Sequence, residues 1–369
     1  MPVKTLCALC LLAPLAQAAQ PIWPAHGTAQ AAMIADYRTL ACNKQAPPPY
    51  TGTLRLQSKY DQRDASKSTL RSSPDADSER IGKQVKQFVG GLIYASKRFQ
   101  RAQKPQDANM ALACQDQWLQ RWAEAGALLN PDASSTGMAA RKWALAAMAG
   151  AVLLTQSASD GKVQLNEVQK AWFTRLGERV IAEYDPRRDA PGVYFNNHDY
   201  WAAWAVAATG MLVSRDDFIL WADGNLRRGL AQAVRASDGS YAYLPLEVAR
   251  SKLAASYSQY ALVPLVLLAE AARANGLPWS AEDQHTLDLL ANFAARSVLA
   301  PDELPELKGQ AQAEVAPYKL AWLIPFLQRN PHHTLARQLY DSEDGEVDNY
   351  SQLGGPLKPF YPPLPGSRT

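Results

Sequence analysis

Histidine and cysteine are scarce here, five and four residues among 369, and that scarcity narrows the chemistry. No His-Glu-x-x-His pair, cysteine cluster or Asp/Asn/Gly calcium loop occurs, so no metal-ligand pattern is present. The Gly-x-Ser-x-Gly elbow, the phosphate loop and the Rossmann glycine fingerprint are missing too, and no cofactor is expected. Charge of one sign is also in short supply. A net charge of +3, with Lys and Arg scattered rather than clustered, leaves no nucleic-acid footprint. Past the N-terminus no stretch reads as long and apolar enough for membrane insertion. Runs of alternating apolar and polar residues, the mark of half-buried strands, are lacking as well.

What is present begins with a leader. Lys4 precedes an apolar run from Leu6 to Leu15, and Ala16-Gln17-Ala18 is a small-residue cleavage signal. Residues 1–18 therefore read as a secretory signal peptide. Lipidation at Cys7 or Cys10 would need small residues before the cysteine, where Leu6 and Leu9 stand. The remaining cysteines, Cys42 and Cys114, invite a disulfide in an exported chain; the alternative is two free buried thiols. The bond would tie an N-terminal arm to the body and contribute roughly 4 kcal/mol on the chain-entropy account.

That arm, residues 19–57, is rich in Pro, Ala and Gly. Residues 58–84 are polar with both charge signs and no apolar period, which reads as a mobile loop of lid-like length. From residue 85 the spacing turns helical. Trp118, Trp122, Ala125 and Leu129 recur every three to four positions, as do Trp143, Ala147, Gly150 and Leu154. Stops such as Asn130-Pro131-Asp132 and Gly276-Leu277-Pro278 divide the pattern. Pro264 falls inside an apolar helix and should kink it. The expectation is an all-α fold of about ten to twelve helices, a bundle or an α/α toroid with a cleft at its mouth. A Pro-rich tail at 356–363 would wrap the body as extended coil.

The densest chemistry is Asn196-Asn197-His198-Asp199-Tyr200-Trp201-Ala202-Ala203-Trp204. Asn197 and His198 stand where a helix should start, so amide, imidazole and free backbone N–H groups can all donate toward an anion. The other histidines lack such company: His26 is in the arm, His285 on an amphipathic helix, and His332-His333 in a loop. Downstream come Arg250, Tyr257 and Tyr260. On one continuous helix Arg250 and Tyr257 would share a face about 10 Å apart. The plainer alternative is a surface arginine with two core tyrosines.

These residues, with Pro47-Pro48-Pro49-Tyr50-Thr51-Gly52, Ser58-Lys59-Tyr60, Leu112-Ala113-Cys114, Arg141-Lys142-Trp143-Ala144-Leu145, Ala321-Trp322-Leu323 and Leu353-Gly354-Gly355, resemble the alginate lyases of polysaccharide lyase family five. The resemblance runs in order through nearly the whole chain after the leader. It implies one catalytic domain over residues 19–369, an incomplete (α/α) toroid with 58–84 as lid, needing no metal. It implies that Asn197, His198 and Arg250 neutralise a uronate carboxylate, that Tyr257 moves protons, and that Lys59 and Tyr60 close from the lid. Trp143, Tyr200, Trp201 and Tyr260 would line subsites, and Cys42 would pair with Cys114. The implied substrate is an anionic polyuronate, foremost mannuronate-rich alginate, cut by β-elimination. The implied setting is the periplasm, with the chain acting as a monomer.

The chain departs from the family pattern at Leu246, where an amide is usual, at Ser258-Gln259, usually His-Asn, and at Gln352, usually arginine. A missing cleft arginine changes the grip on one carboxylate. Glucuronate shares mannuronate's stereochemistry at C4 and C5, so polyglucuronate or hyaluronan-like chains stay open as substrates. So do a non-catalytic uronan-binding protein and an α/α glycoside hydrolase, which would need two cleft carboxylates. Asp199 and Glu247 are the only acids beside the motifs.

Overall fold

Polar side chains set where the helices begin. In a computed structural model, which describes residues 19–25, 28–73, 75–188 and 194–364, Asp75, Ser134, Asn166, Asn196 and Ser280 each accept a bond from a first-turn amide. Twelve α-helices follow among the described residues: α1 (Ala29–Ala32), α2 (Ala76–Gln100), α3 (Pro105–Glu124), α4 (Ser135–Ala158), α5 (Glu167–Tyr184), α6 (Asn197–Val213), α7 (Asp216–Ala231), α8 (Pro245–Val248), α9 (Ala254–Ala274), α10 (Ala281–Leu299), α11 (Leu323–Arg329) and α12 (Thr334–Ser342). The leader, His26 and the loop residues 189–193 lie outside the described residues.

Helix α6 is the hub. Its residues from Tyr200 to Gly210 are all buried, and it packs against α4, α5, α7 and α9. A helix apolar on every side belongs at the centre of a helical layer rather than at its surface. Two helical segments, residues 135–158 and 251–274, are long and apolar enough to cross a bilayer, contrary to the reading from sequence; both are largely buried inside the body. Pro264 sits within α9, and its missing N–H frees the Tyr260 carbonyl. The Trp201 indole donates to that carbonyl at 2.9 Å, tying α6 to α9.

The described residues hold two antiparallel strand pairs, each strand two residues long, β1 (Val234–Arg235) with β2 (Ala242–Tyr243) and β3 (Asn349–Tyr350) with β4 (Gly355–Pro356), which leave the all-α reading in place. Two expectations are revised. The lid-like loop ends at Asp75, because that carboxylate caps α2 and residues 76–84 are already helical. The tail is only partly extended: it pairs as β4, then turns as a 3-10 helix at Lys358–Phe360, with Phe360 and Tyr361 against Trp23. Gly150 and Gly354 explain how it passes so close to α4. A Cβ at Gly150 would overlap the Leu353 carbonyl, and Gly354 has φ +88°.

Cys42 and Cys114 are disulfide-bonded, with Cα atoms 4.7 Å apart, and join the arm to α3.

Candidate active site

The start of α6 is where the charged residues meet. Asn196 forms a capping box with Asp199. Asp199 is fully buried and also pairs with the Arg187 guanidinium at 3.2 Å. Asn197 is anchored from α8: its backbone N–H donates to Glu247 Oε1 at 2.8 Å and its Nδ2 to Oε2 at 2.7 Å. Asn197 is itself buried; its Nδ2 keeps a second hydrogen, and its Oδ1 has no partner among the described residues. Glu247 is itself completely buried, and desolvation pushes its carboxyl up to about 7.

His198 is half-buried and rests on Lys142 of α4. The Lys142 Nζ lies 2.9 Å from His198 Nδ1 and donates to the His198 carbonyl at 2.7 Å. Burial, together with the positive charges of Lys142, Arg187 and Arg250, holds the imidazole pKa well below its usual value, so His198 is neutral. Trp143 stands beside it, with ring centroids 5.7 Å apart.

Arg250 is not on one helix with Tyr257. Ser251 adopts φ +55°, a 3-10 turn covers Ser251–Leu253, and α9 begins only at Ala254. The break folds the guanidinium onto the Tyr257 ring, 3.7 Å from its centroid rather than two turns away. Its Nη2 donates to the Lys67 carbonyl of the 57–75 loop at 2.7 Å. The Tyr257 hydroxyl donates to the Tyr60 hydroxyl from the same loop at 3.1 Å. Burial and the Tyr60 bond raise the Tyr257 pKa while Arg250 opposes them, so the resting phenol is protonated. Lys59 is exposed, with its ammonium 5.0 Å from the Tyr60 ring centre.

Asn197, His198, Arg250, Tyr257, Lys59, Tyr60, Trp143 and Tyr260 are therefore neighbours along one chain of contacts. Tyr200 and Trp201 are not part of its surface. Both are fully buried, the Tyr200 hydroxyl on Gln232 and the Trp201 ring stacked under Tyr260 at 5.1 Å. They support the site from the core instead of lining subsites. Lys319 was not singled out in the sequence. It donates to Ser256 Oγ, lies 5.9 Å from the Tyr257 ring centre, and burial lowers its pKa, with Lys59 adding to the effect. Lys142, Arg187 and Glu247 were also missed as parts of the site. Of the departures from the family pattern, Gln259 turns inward to Trp322 and Ala294, and Ser258 to its own helix. Gln352 does border the cluster, accepting from the Tyr350 hydroxyl and standing near enough to Tyr260 to counter part of the rise that burial gives its pKa.

The cluster is rich in donors and cations. The two acids at its floor, Asp199 and Glu247, are buried and already bonded. A cavity of about 650 Å³ near the C-terminus, bordered by Tyr340, Asp341 and Lys358, shares no residue with the cluster.

Comparison with known proteins agrees with this picture. The family model described as alginate lyase matches residues 55–304. An alginate lyase of Cobetia marina is 31% identical over 97% of this chain and 94% of its own length. One from Pseudomonas putida is 30% identical over 88% of this chain and 85% of its own. Among solved structures, alginate lyase A1-III complexed with tetrasaccharide superposes with a TM-score of 0.67 at 17% identity, covering 94% of this chain and 93% of that one. This likeness establishes the fold as an (α/α) toroid. By the extent of the family match and the identity of these relatives, the chain belongs to the alginate lyase family.

Proposed function

We propose that the protein is an exported lyase that cleaves mannuronate-rich alginate by β-elimination, with Tyr257 moving the protons. The observation that carries this reading is the Tyr257 environment. Its hydroxyl meets Tyr60 at 3.1 Å while the Arg250 guanidinium covers its ring at 3.7 Å. A phenol so placed can release its proton along the Tyr60 hydroxyl, with the guanidinium stabilising the phenolate.

The reaction then balances as follows. Tyr257 phenolate takes the C5 proton beside the uronate carboxylate. The C–H electrons form the C4–C5 double bond, the bond from C4 to the glycosidic oxygen breaks, and the departing oxygen takes the proton back from Tyr257. In β-D-mannuronate the C5 hydrogen and the C4 oxygen share one face, so one group serves as base and then acid. Removing the C5 proton builds charge onto the carboxylate. Arg250, neutral His198 and the remaining Asn197 hydrogen would mask it, each by about 3 kcal/mol if they act like oxyanion donors. Lys59 and Lys319 add positive charge for the polymer's flanking carboxylates. Trp143 offers an aromatic face to a sugar ring.

Against hydrolysis stands the lack of a free carboxylate pair among the described residues of the cluster: Asp199 is paired with Arg187 and Glu247 with Asn197. The leader sequence supports export to the periplasm, and a monomer suffices, since every group named comes from one chain. Digestion of polymannuronate in heavy-oxygen water, followed by mass spectrometry, tests the reaction type. Elimination leaves one of the two new ends unsaturated and adds no water across the cut. Two saturated new ends would mean hydrolysis and overturn the proposal. Intact polymer would leave only a uronan-binding protein and overturn it equally.

A further inference from the structure

We propose that the outer face of α2 is a second polyuronate-binding surface, a track of cations around Tyr94 that holds the polymer outside the Tyr257 cluster. The choice of polymer rests on the lyase reading.

The charge along α2 is one-sided. Between Glu79 and Asp107 the chain carries seven cations and no acid. Arg80 and Arg98 are paired with Asp77 and Asp107. Lys83, Lys86 and Arg101 are exposed and have no acid partner among the described residues, and Lys97 meets the Asn349 side-chain carbonyl at 3.5 Å. These four follow one another with Gly90 and Tyr94 at steps of three and four, so all six positions share one face of the helix. From Lys83 to Arg101 that face runs about 27 Å.

Tyr94 stands in the middle of it, 53% exposed. Lys44 reaches over from the arm and sets its ammonium 5.1 Å from the ring centre, which adds a cation beside an apolar surface on which a sugar ring can rest. Gly90 lies between Lys86 and Tyr94. Glycine weakens a helix interior, and packing does not call for it here: a Cβ would meet nothing within 4 Å. Gly82, one turn before Lys86, is open in the same way. Gly91 differs, since Trp118 of α3 fills the space its Cβ would need. Bare backbone at Gly82 and Gly90 lets a chain lie close to the helix between flanking cations.

An anionic polysaccharide fits these features, with carboxylates on the unpaired cations and a ring on Tyr94. A lipid surface would ask for several large apolar side chains beside the cations, and on α2 Tyr94 is the one that is exposed. The track starts at the foot of the loop that bears Lys59 and Tyr60, because Gln57 donates to Asp75 and Ser78 at the head of α2.

The test is binding of fluorescent polymannuronate and of a mannuronate tetrasaccharide to the full mature protein, with Tyr257→Phe in every sample to stop turnover. Adding Lys83→Gln, Lys86→Gln and Arg101→Gln together should weaken polymer binding about tenfold, as three modest surface contacts would, and change tetrasaccharide binding by less than about twofold. Gly90→Glu places an acid in open space and should weaken the polymer about threefold at an unchanged melting temperature. Added salt should weaken polymer binding more steeply before the three changes than after them. Unchanged polymer binding in both variants, or none before the changes, overturns the proposal. An equal loss for the tetrasaccharide overturns it too, by placing the effect in the cleft. Tighter capture of anionic vesicles or DNA than of polymannuronate through these residues overturns the choice of polymer. Binding is read without turnover, so failure here is distinct from failure of the elimination reading.

Discussion

Beneath the Tyr257 cluster, Lys142, Asp199 and Glu247 lie fully buried and bonded to His198, Arg187 and Asn197, whereas above it residues 57–73 are largely exposed and bonded mainly to themselves. In that loop the Asp64 carboxylate alone gathers the backbone amides of Ser66, Ser68 and Thr69 at 2.8–2.9 Å, and those donors with the Ser66 hydroxyl hold its pKa well below the usual range. The two regions touch through few bonds, chiefly Tyr60 to Tyr257 and Lys67 to Arg250. The contrast teaches a division of labour. The floor fixes donor directions at high desolvation cost. The loop meets the floor through two hydrogen bonds, each worth about 1 kcal/mol net, and through the Arg250 guanidinium over the Tyr60 ring at 5.5 Å.

The sharpest break of this comparison is on the floor side. Tyr257→Phe should lower kcat on the polymer by about 1000-fold with an unchanged melting curve, as expected for loss of a proton-transfer group; stopped assays at high enzyme concentration would measure the residue. A variant keeping near-full turnover would remove Tyr257 from the reaction.

Much of this arrangement was legible in the sequence. The spacing of Trp118 and Trp122, and Asn196 before an apolar run, announced helices and a helix start because both signals are local, although the pattern overran α3, which ends at Glu124, well short of Leu129. Burial from several sides is not local. Tyr200 and Trp201 sit in a motif that looks sugar-facing, yet α6 is surrounded, so its aromatics pack inward. Lys142, between Arg141 and Trp143, reads as a solvated position until α4 is laid beside α6. The close stacking of Arg250 on Tyr257 depended on one left-handed residue, Ser251, which no spacing rule foretells. Gly354 was in view as part of a motif, but only contact with Gly150 shows what it is for.

The next effect is on stability. Burial lifts the Glu247 carboxyl from 4.5 to about 7, so the folded protein holds a proton that the unfolded chain has released. Its stabilising contribution is complete below pH 4.5 and lost as pH rises through about 7, on the order of 3 kcal/mol. Chemical denaturation at several pH values should show that slope in the wild type and a flatter one in Glu247→Gln. An identical slope in both would place the titration elsewhere.

On the loop side the effects shrink. Tyr60→Phe should reduce kcat about tenfold by removing the outlet for the Tyr257 proton, a loss the size of one hydrogen bond, and should not change the melting temperature. Asp64→Ala should loosen the loop, raising KM a few-fold while kcat stays near wild type. Steady-state kinetics resolves the two. A kcat loss in Asp64→Ala as large as in Tyr60→Phe would mean that the loop is part of the floor's chemistry rather than a separable cover.

The most direct test of the account is ultraviolet absorbance of the unsaturated uronate product, followed with purified mature protein on polymannuronate, polyguluronate, polyglucuronate and hyaluronan. The account predicts the fastest rise on polymannuronate and little on polyguluronate, whose C5 is inverted. A rise confined to the glucuronate polymers would contradict the substrate assignment and direct attention to Gln352, and no rise on any of the four would contradict the lyase mechanism itself.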